Sequence, residues 1–349
     1  MTLIKRKKTK EIRLGQIKLG GNNPIRVQSM CNTETKNVSA TVEQIHKLEE
    51  VGCEIVRIAI PDIESAKSVK NIKKQINIPL VADIHYDYKL ALECLRQGID
   101  KIRINPGNIP KDKLKIIVKE AKNAGIPIRI GVNIGSLPKN IVKKFGYTSR
   151  AMVESALKTI KLFESLDFYD IIVSLKSSDI LQTIEANILF SERSNYPIHL
   201  GITEAGTVRN GTIKSSIGIG YLLLNGIGNT IRVSLTAEPT EEVSVGYSVL
   251  RLLGLRKGAI LISCPTCGRA KIDVIKIANE VEKRLVKIEK PIKVGVLGCF
   301  VNVEEAKVVD VGIAGAGEYG ILFRKGEIVK KAKKSELIKE LFKEINRVI

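Results

Sequence analysis

Three cysteines in the last quarter of the chain are spaced to share one reactive centre. Cys264-Pro265-Thr266-Cys267-Gly268-Arg269 sits between a predicted strand, residues 259–263, and a predicted helix, residues 272–286, and Cys299 follows a predicted strand at 292–297. A Cys-x-x-Cys spacing lets two sulfurs face one metal centre from a single turn, and a third thiol from a distant loop closes the cage. Three chemistries fit. Structural zinc takes four Cys or His ligands, but the chain beyond His199 holds these three cysteines and no histidine, so Glu304 or Glu305 would have to complete the set. A thioredoxin-like dithiol suits a pair that opens a helix, where the dipole lowers a thiol pKa, yet leaves Cys299 without a role. A cubane iron–sulfur cluster uses three thiolates and leaves one iron for a carboxylate or a substrate.

A second set of reactive side chains recurs at the ends of short β-branched runs: Gln28 and Ser29, Arg57, Asp83 and His85, Arg103 and Asn105, Arg129 and Asn133, Lys176, Thr203 and Glu204, Arg232 and Ser234. The runs span 24–30, 55–60, 79–85, 101–106, 127–133, 170–176, 198–204 and 230–236, with helical segments such as 42–51, 66–75, 89–97, 113–124 and 150–166 between them. Each is nearly continuously apolar toward its start, as parallel strands buried on both faces are. Eight such units predict an α/β fold, a closed (β/α)8 TIM barrel. An open doubly wound sheet would carry a Gly-rich turn after its first strand, where this chain has Met30-Cys31-Asn32-Thr33. Barrel enzymes build their sites at the carboxyl ends of the strands, so the polar residues are expected at one mouth. A single buried arginine can be a paired core charge. Four arginines and a lysine on five strands, with few acids beside them, predict an external polyanion as partner.

The alternation changes around residues 253–259. Residues 1–255 read as the barrel, and 256–349 as a small α+β domain. Its expected elements are the strands at 259–263 and 292–297, the helix at 272–286, a Gly-rich stretch at 312–317, a strand pair around 320–329 and a last helix at 334–347. A chain of 349 residues accommodates one barrel of about 250 residues and a smaller domain. Hydrophobic residues at 44% and charged residues at 27% supply a core without disulfide staples. The basic start (Lys5, Arg6, Lys7, Lys8, Lys10) lacks the apolar centre of a secretory signal, and no apolar run reaches the roughly 18 residues of a membrane span. A cytoplasmic protein with no membrane partner is expected, its six cysteines reduced. Cys31, Cys53 and Cys94 read as small buried hydrophobes. The formal charge of +20 would attract phosphate-bearing molecules, small or polymeric. Aromatic residues are 4% with no Trp, short of the rings on which single strands stack. No nucleic-acid partner is therefore expected, although a basic nucleic-acid-binding protein with a metal knuckle is the rival class.

Several runs together, and in order, carry a resemblance that extends nearly end to end. They are Val27-Gln28-Ser29-Met30, Val81-Ala82-Asp83-Ile84-His85, Ile102-Arg103-Ile104-Asn105-Pro106-Gly107-Asn108, Arg129-Ile130-Gly131-Val132-Asn133, Leu200-Gly201-Ile202-Thr203-Glu204-Ala205-Gly206, Ser263-Cys264-Pro265-Thr266-Cys267-Gly268-Arg269 and Gly298-Cys299. With them the chain resembles the 4-hydroxy-3-methylbut-2-enyl diphosphate synthase family. The resemblance implies an iron–sulfur oxidoreductase of non-mevalonate isoprenoid biosynthesis, with a 4Fe–4S cluster and electrons from flavodoxin or ferredoxin. Its reaction would be the reductive ring opening and dehydration of 2-C-methyl-D-erythritol 2,4-cyclodiphosphate.

Cluster ligands would be Cys264, Cys267 and Cys299, with a glutamate as the fourth. The chain departs from the family here, reading Cys299-Phe300-Val301-Asn302-Val303-Glu304-Glu305-Ala306, one residue shorter than the family's turn before Glu-Ala. Glu305 is taken as the ligand, with Glu304 the alternative. A second departure is Cys31, where a threonine is more usual. On the resemblance, Arg57, Arg103, Arg129, Lys176 and Ser234 would grip the diphosphate, through guanidinium forks and an ammonium point charge. Asp83 and Asn133 would position substrate hydroxyls. Glu204 would manage protons, its carboxyl expected to be raised in pKa beside a polyanion. The family also implies a head-to-tail homodimer, the cluster domain of one subunit closing over the barrel mouth of the other, with a hinge near residues 255–258.

Overall fold

Apolar runs of five or six residues cannot enclose a core singly, and the chain joins them into one ring. The computed structural model describes residues 4–286, 288–302 and 305–349, and of Asn302 and Glu305 the backbone alone. Two compact units divide at Leu253 and Gly254. The first opens with a hairpin, β1 (Ile12–Leu14) and β2 (Ile17–Leu19), and continues in the parallel strands β3 (Arg26–Met30), β4 (Ile55–Ala59), β5 (Leu80–Ile84), β6 (Lys101–Ile104), β7 (Ile128–Asn133), β8 (Ile171–Lys176), β9 (His199–Leu200) and β10 (Thr230–Ile231). Their order is β8-β7-β6-β5-β4-β3-β10-β9, and a bridge between Val173 and Ile198 joins the two ends. This is the predicted TIM barrel. The last two strands are shorter than their apolar runs, because the chain leaves the ladder at Gly201 and Arg232 to form mouth loops.

Polar side chains start the helices where the strands stop. Asn37, Asp62, Asp87, Thr148 and Asp179 each accept a first-turn backbone N–H, satisfying a donor the helix cannot. Along β6, alternation sends Ile102 and Ile104 against the helices and Lys101 and Arg103 into the ring. The hairpin, which the sequence analysis reads only as a basic start, closes the amino-terminal end. Its Ile12, Leu14 and Leu19 pack on Ile55, Val81 and Ile172 at the base of the interior.

The second unit is a five-stranded sheet, β11 (Ala259–Ser263), β12 (Ile292–Leu297), β13 (Val311–Ala316), β14 (Tyr319–Arg324) and β15 (Glu327–Ala332), in that order. The first three are parallel, and β14 and β15 return antiparallel. Helices Val274–Leu285 and Leu337–Val348 share one core cluster with β11–β14. The Gly-rich stretch, left without a strand in the sequence reading, is the central strand β13. At Gly312 a side chain would collide with the ring of Phe323, so the strand gives up β-propensity for close packing.

Leu19 is fully buried in the barrel plug, and Leu19→Ala is expected to cost about 2–5 kcal/mol in urea unfolding. An unchanged midpoint would show that the hairpin lies outside the barrel's cooperative unit.

Candidate active site

Register along the barrel places the strand-end charges side by side. Met30 is level with Arg57, Asp83 with Arg103, Arg103 with Arg129, and Asn133 with Lys176. Asp83 stands at the centre. Its Oδ1 is 3.1 Å from Arg103 Nη1, its Oδ2 4.0 Å from Arg57 Nε and 3.2 Å from His85 Nε2. Arg57 also donates to the Met30 sulfur, at 2.8 Å from Nη2 and 3.0 Å from Nε. Arg232 donates from Nε and Nη2 to the two oxygens of Glu242, each at 3.2 Å, and Glu242 accepts from Ser29 Oγ at 2.9 Å. Two glycines make room. A side chain at Gly131 would strike the Arg103 guanidinium, and one at Gly201 would lie 2.5 Å from Lys176 Nζ.

Cations outnumber anions in this interior: Arg57, Lys101, Arg103, Arg129, Lys176 and Arg232 against Asp83 and Glu242. Arg129 is 1% exposed, and its Nε and Nη1 have no hydrogen-bond partner among the described residues. Burial, then the neighbouring Arg57 and Arg103, holds the Arg129 guanidinium well below its ordinary range. Burial, with Arg129 and Arg57 next in weight, does the same to the Lys176 ammonium. Burial also lowers Arg57, to about 10, despite the attraction of Asp83. At Asp83 burial opposes ionisation, but Arg57, the His85 hydrogen bond, Arg103 and Arg129 outweigh it and keep the carboxyl well below the usual range. What this interior lacks is negative charge.

The structure brings Arg57, Asp83, Arg103, Arg129 and Lys176 into one cluster. Asn133, at the end of β7, and Ser234, in the loop after β10, are half-buried at the same carboxyl end of their strands. Glu204 lies in the loop after β9, exposed and with φ of 51°, a left-handed conformation rare for a non-glycine residue. It has no hydrogen bond to the cluster among the described residues. Arg232 and His85 carry the strand-end signal of the others but no assigned role in the resemblance, and Met30 and Glu242 carry neither. Glu242 gives no such signal, because it reaches Arg232 from the helix Pro239–Leu252.

In the second unit Cys264 follows β11 directly, and Cys299 follows β12 with Gly298 between. Cys264 and Cys299 are partly buried and Cys267 is exposed. The Gly298 N–H donates to Cys264 Sγ at 3.0 Å, while the Gly298 carbonyl accepts from Lys271 N–H at 2.7 Å. A backbone amide aimed at a sulfur is a contact that suits a thiolate ligand of an iron–sulfur cluster. No three Cys, His, Asp or Glu side chains among the described residues are close enough to hold a single metal ion. Glu304 lies outside the described residues, as does the side chain of Glu305. Cys31, Cys53 and Cys94 are buried, and burial raises each thiol to about 12. No helix among the described residues is long and apolar enough to cross a membrane.

Comparison with known proteins matches the GcpE TIM-barrel domain over residues 9–247 and the GcpE protein C-terminal domain over residues 260–347. A relative from Caldanaerobacter subterraneus subsp. tengcongensis, named 4-hydroxy-3-methylbut-2-en-1-yl diphosphate synthase (flavodoxin), is 59% identical over 348 residues, 99% of this chain and 98% of the relative. A relative of the same name from Thermodesulfovibrio yellowstonii is 53% identical over 349 residues, 99% of this chain and 100% of its own. Among solved structures, dihydropteroate synthase from Stenotrophomonas maltophilia aligns with a TM-score of 0.53 at 13% identity, over 70% of this chain and 97% of that one. The N-acetylneuraminic acid synthetase of Leptospira borgpetersenii gives the same score and identity, over 71% and 90%. These two share the fold.

Asp83→Asn removes the carboxylate that three arginines face, and is expected to lower stability at neutral pH by about 3–5 kcal/mol. The folded pKa of Asp83 is depressed, so its contribution is present above the unfolded carboxyl value of about 3.9 and is lost as pH falls through the folded value. Denaturant unfolding from neutral to acid pH should show the two proteins converging only at the acid end. Equal stability throughout would show that Asp83 is not the cluster's counter-charge.

Proposed function

This chain belongs to the 4-hydroxy-3-methylbut-2-en-1-yl diphosphate synthase family, and on that premise we propose that its barrel mouth is the diphosphate site of the family's reaction. It is an oxidoreductase that opens the ring of 2-C-methyl-D-erythritol 2,4-cyclodiphosphate to (E)-4-hydroxy-3-methylbut-2-enyl diphosphate. Two electrons and two protons enter. The bond between the methyl-bearing ring carbon and its phosphate oxygen breaks, the neighbouring hydroxyl leaves as water, and a double bond joins the two carbons.

The observation that carries the site assignment is the excess of buried cations, headed by Arg129 with unpartnered nitrogens. A diphosphate supplies the missing charge. Arg57, Arg103 and Arg129 offer planar forks to its oxygens, Lys176 a point charge and Ser234 a hydroxyl. Asp83 aligns Arg57 and Arg103 and, with Asn133, orients the substrate's hydroxyls. Glu204, held at its φ of 51°, carries the proton that the leaving hydroxyl needs on a carboxyl oxygen. Residues 1–255 act as the substrate domain and 256–349 as the cluster domain. Cys264, Cys267 and Cys299 would hold a 4Fe–4S cluster with Glu305 as fourth ligand, and the Gly298 amide favours the Cys264 thiolate. When bound, the cluster supplies single electrons and a Lewis-acidic iron. Flavodoxin is the electron donor in this reading, ferredoxin the alternative, and the cytoplasm the site of action.

Anaerobically purified protein is expected to contain about four irons and four sulfides per chain and to turn over the cyclodiphosphate with reduced flavodoxin. Cys299→Ala should lose iron and turnover together. Arg129→Met should keep its iron and lose about tenfold or more in kcat/KM. Stoichiometric zinc without iron after reconstitution would overturn the redox reading and favour the nucleic-acid-binding class.

A head-to-tail homodimer belongs to the same reading. In its support, helix Val208–Leu224 exposes Ile213, Ile217, Tyr221 and Leu224, each about half accessible, along one side. A second copy would cover that stripe. Sedimentation should show a dimer that Ile217→Asp shifts toward monomer. A wild-type monomer would end the homodimer assignment.

A further inference from the structure

Between the apolar plug and the arginines lies a polar layer to which the reaction assigns no role. Lys101 opens β6, level with Val81 and one inward position below Arg103. It is fully buried, and its Nζ has no hydrogen-bond partner among the described residues. The charged and titratable groups facing it are Arg129 from β7, Arg57 from β4, His199 from β9 and Asp100 beside it in sequence. Asp100 is engaged elsewhere, by Lys73 Nζ at 2.8 Å and the Leu80 N–H at 2.8 Å. Nδ1 of His199 is 2.7 Å from Thr230 Oγ1, its Nε2 is unpartnered, and the Gln28 amide is unpartnered at both atoms. Orphaned polar atoms of this kind, on several strands of one interior, mark places for ordered water.

Building on the diphosphate-site reading, we propose that binding of a diphosphate at the mouth is coupled to protonation of Lys101, which serves as a charge reserve beneath the arginines. An amine with two arginines facing it has reason to shed its proton, and burial, then Arg129 and Arg57, holds Lys101 well below the ordinary lysine range. An anion seated among those arginines cancels their field, and at the lower dielectric of a buried site the effect reaches the layer below. A solvent proton then forms an N–H bond at Nζ, and no other bond changes. His199, lowered by burial in the same way, is the other group in the layer that could take it, and the Lys101 variants separate the two.

Calorimetric titration of cluster-loaded protein with inorganic diphosphate, in buffers of different ionisation enthalpy, counts the protons taken up. Wild type should take up about one proton more than Lys101→Met, since titration of the probe itself cancels in the difference. Affinity of the wild type should also fall more steeply with rising pH, by up to about tenfold per unit. Lys101→Gln, which keeps a polar group in the layer, gives the same comparison if the methionine variant folds poorly. Equal proton counts in wild type and variant overturn the coupling and leave the diphosphate site intact. Failure of the wild type to bind diphosphate overturns the site assignment, and the coupling with it.

Discussion

The repulsion among cations inside one barrel is the constraint on which the rest of the structure depends. Arg103 and Arg129 occupy adjacent strands and Arg57 lies one strand beyond Asp83, and a buried charge without a partner is among the most costly groups a fold can hold. Asp83 answers two of the three at once, from the strand between β4 and β6. Glu242 answers Arg232 from outside the sheet, and the Ser29 hydroxyl fixes that carboxylate in turn. No such partner reaches Arg129 among the described residues, and the field there is left for a ligand. In the proposed diphosphate site an anion would relieve repulsion that the scaffold has already absorbed, and little reorganisation would be needed on binding.

The apolar parts of the barrel make that arrangement tolerable. The hairpin seals the base with Leu14 and Leu19, and Lys101, level with Val81 of that cluster, is fully buried. Glycines at 131 and 201 are spaces for the Arg103 and Lys176 side chains, as much a part of the site as the charges they accommodate. Strand positions hold these groups more rigidly than loops could, which suits recognition by several charges acting together.

The fold was legible because its signals repeat. Eight apolar runs with polar ends, separated by helical stretches, leave few architectures open, and the same repetition pointed to the cationic cluster. Short or non-repeating features escaped. Strands β1 and β2 are three residues each, too brief for a periodic signal, and β13 hides behind glycines that exist to admit Phe323. Glu242 was out of reach because its role depends on a helix face meeting one arginine, a tertiary fact with no local pattern. Lys101 reads as an ordinary strand-opening lysine until burial shows that it has nowhere to place its charge.

The two units solve the placement of reactive groups by one physical rule. In a parallel sheet every strand points its carboxyl end the same way, so residues distant in sequence emerge together at one edge. The barrel uses this to gather Arg57, Asp83, Arg103, Arg129 and Lys176 from five successive strands. The smaller sheet turns antiparallel only after β13, and its parallel pair β11 and β12 delivers Cys264 and Cys299 from positions 35 residues apart to neighbouring strand ends. The hydrogen bond from Gly298 to the Cys264 sulfur follows from that pairing, since Cys264 N–H already meets the Val296 carbonyl. Strand direction sets where these two thiols emerge.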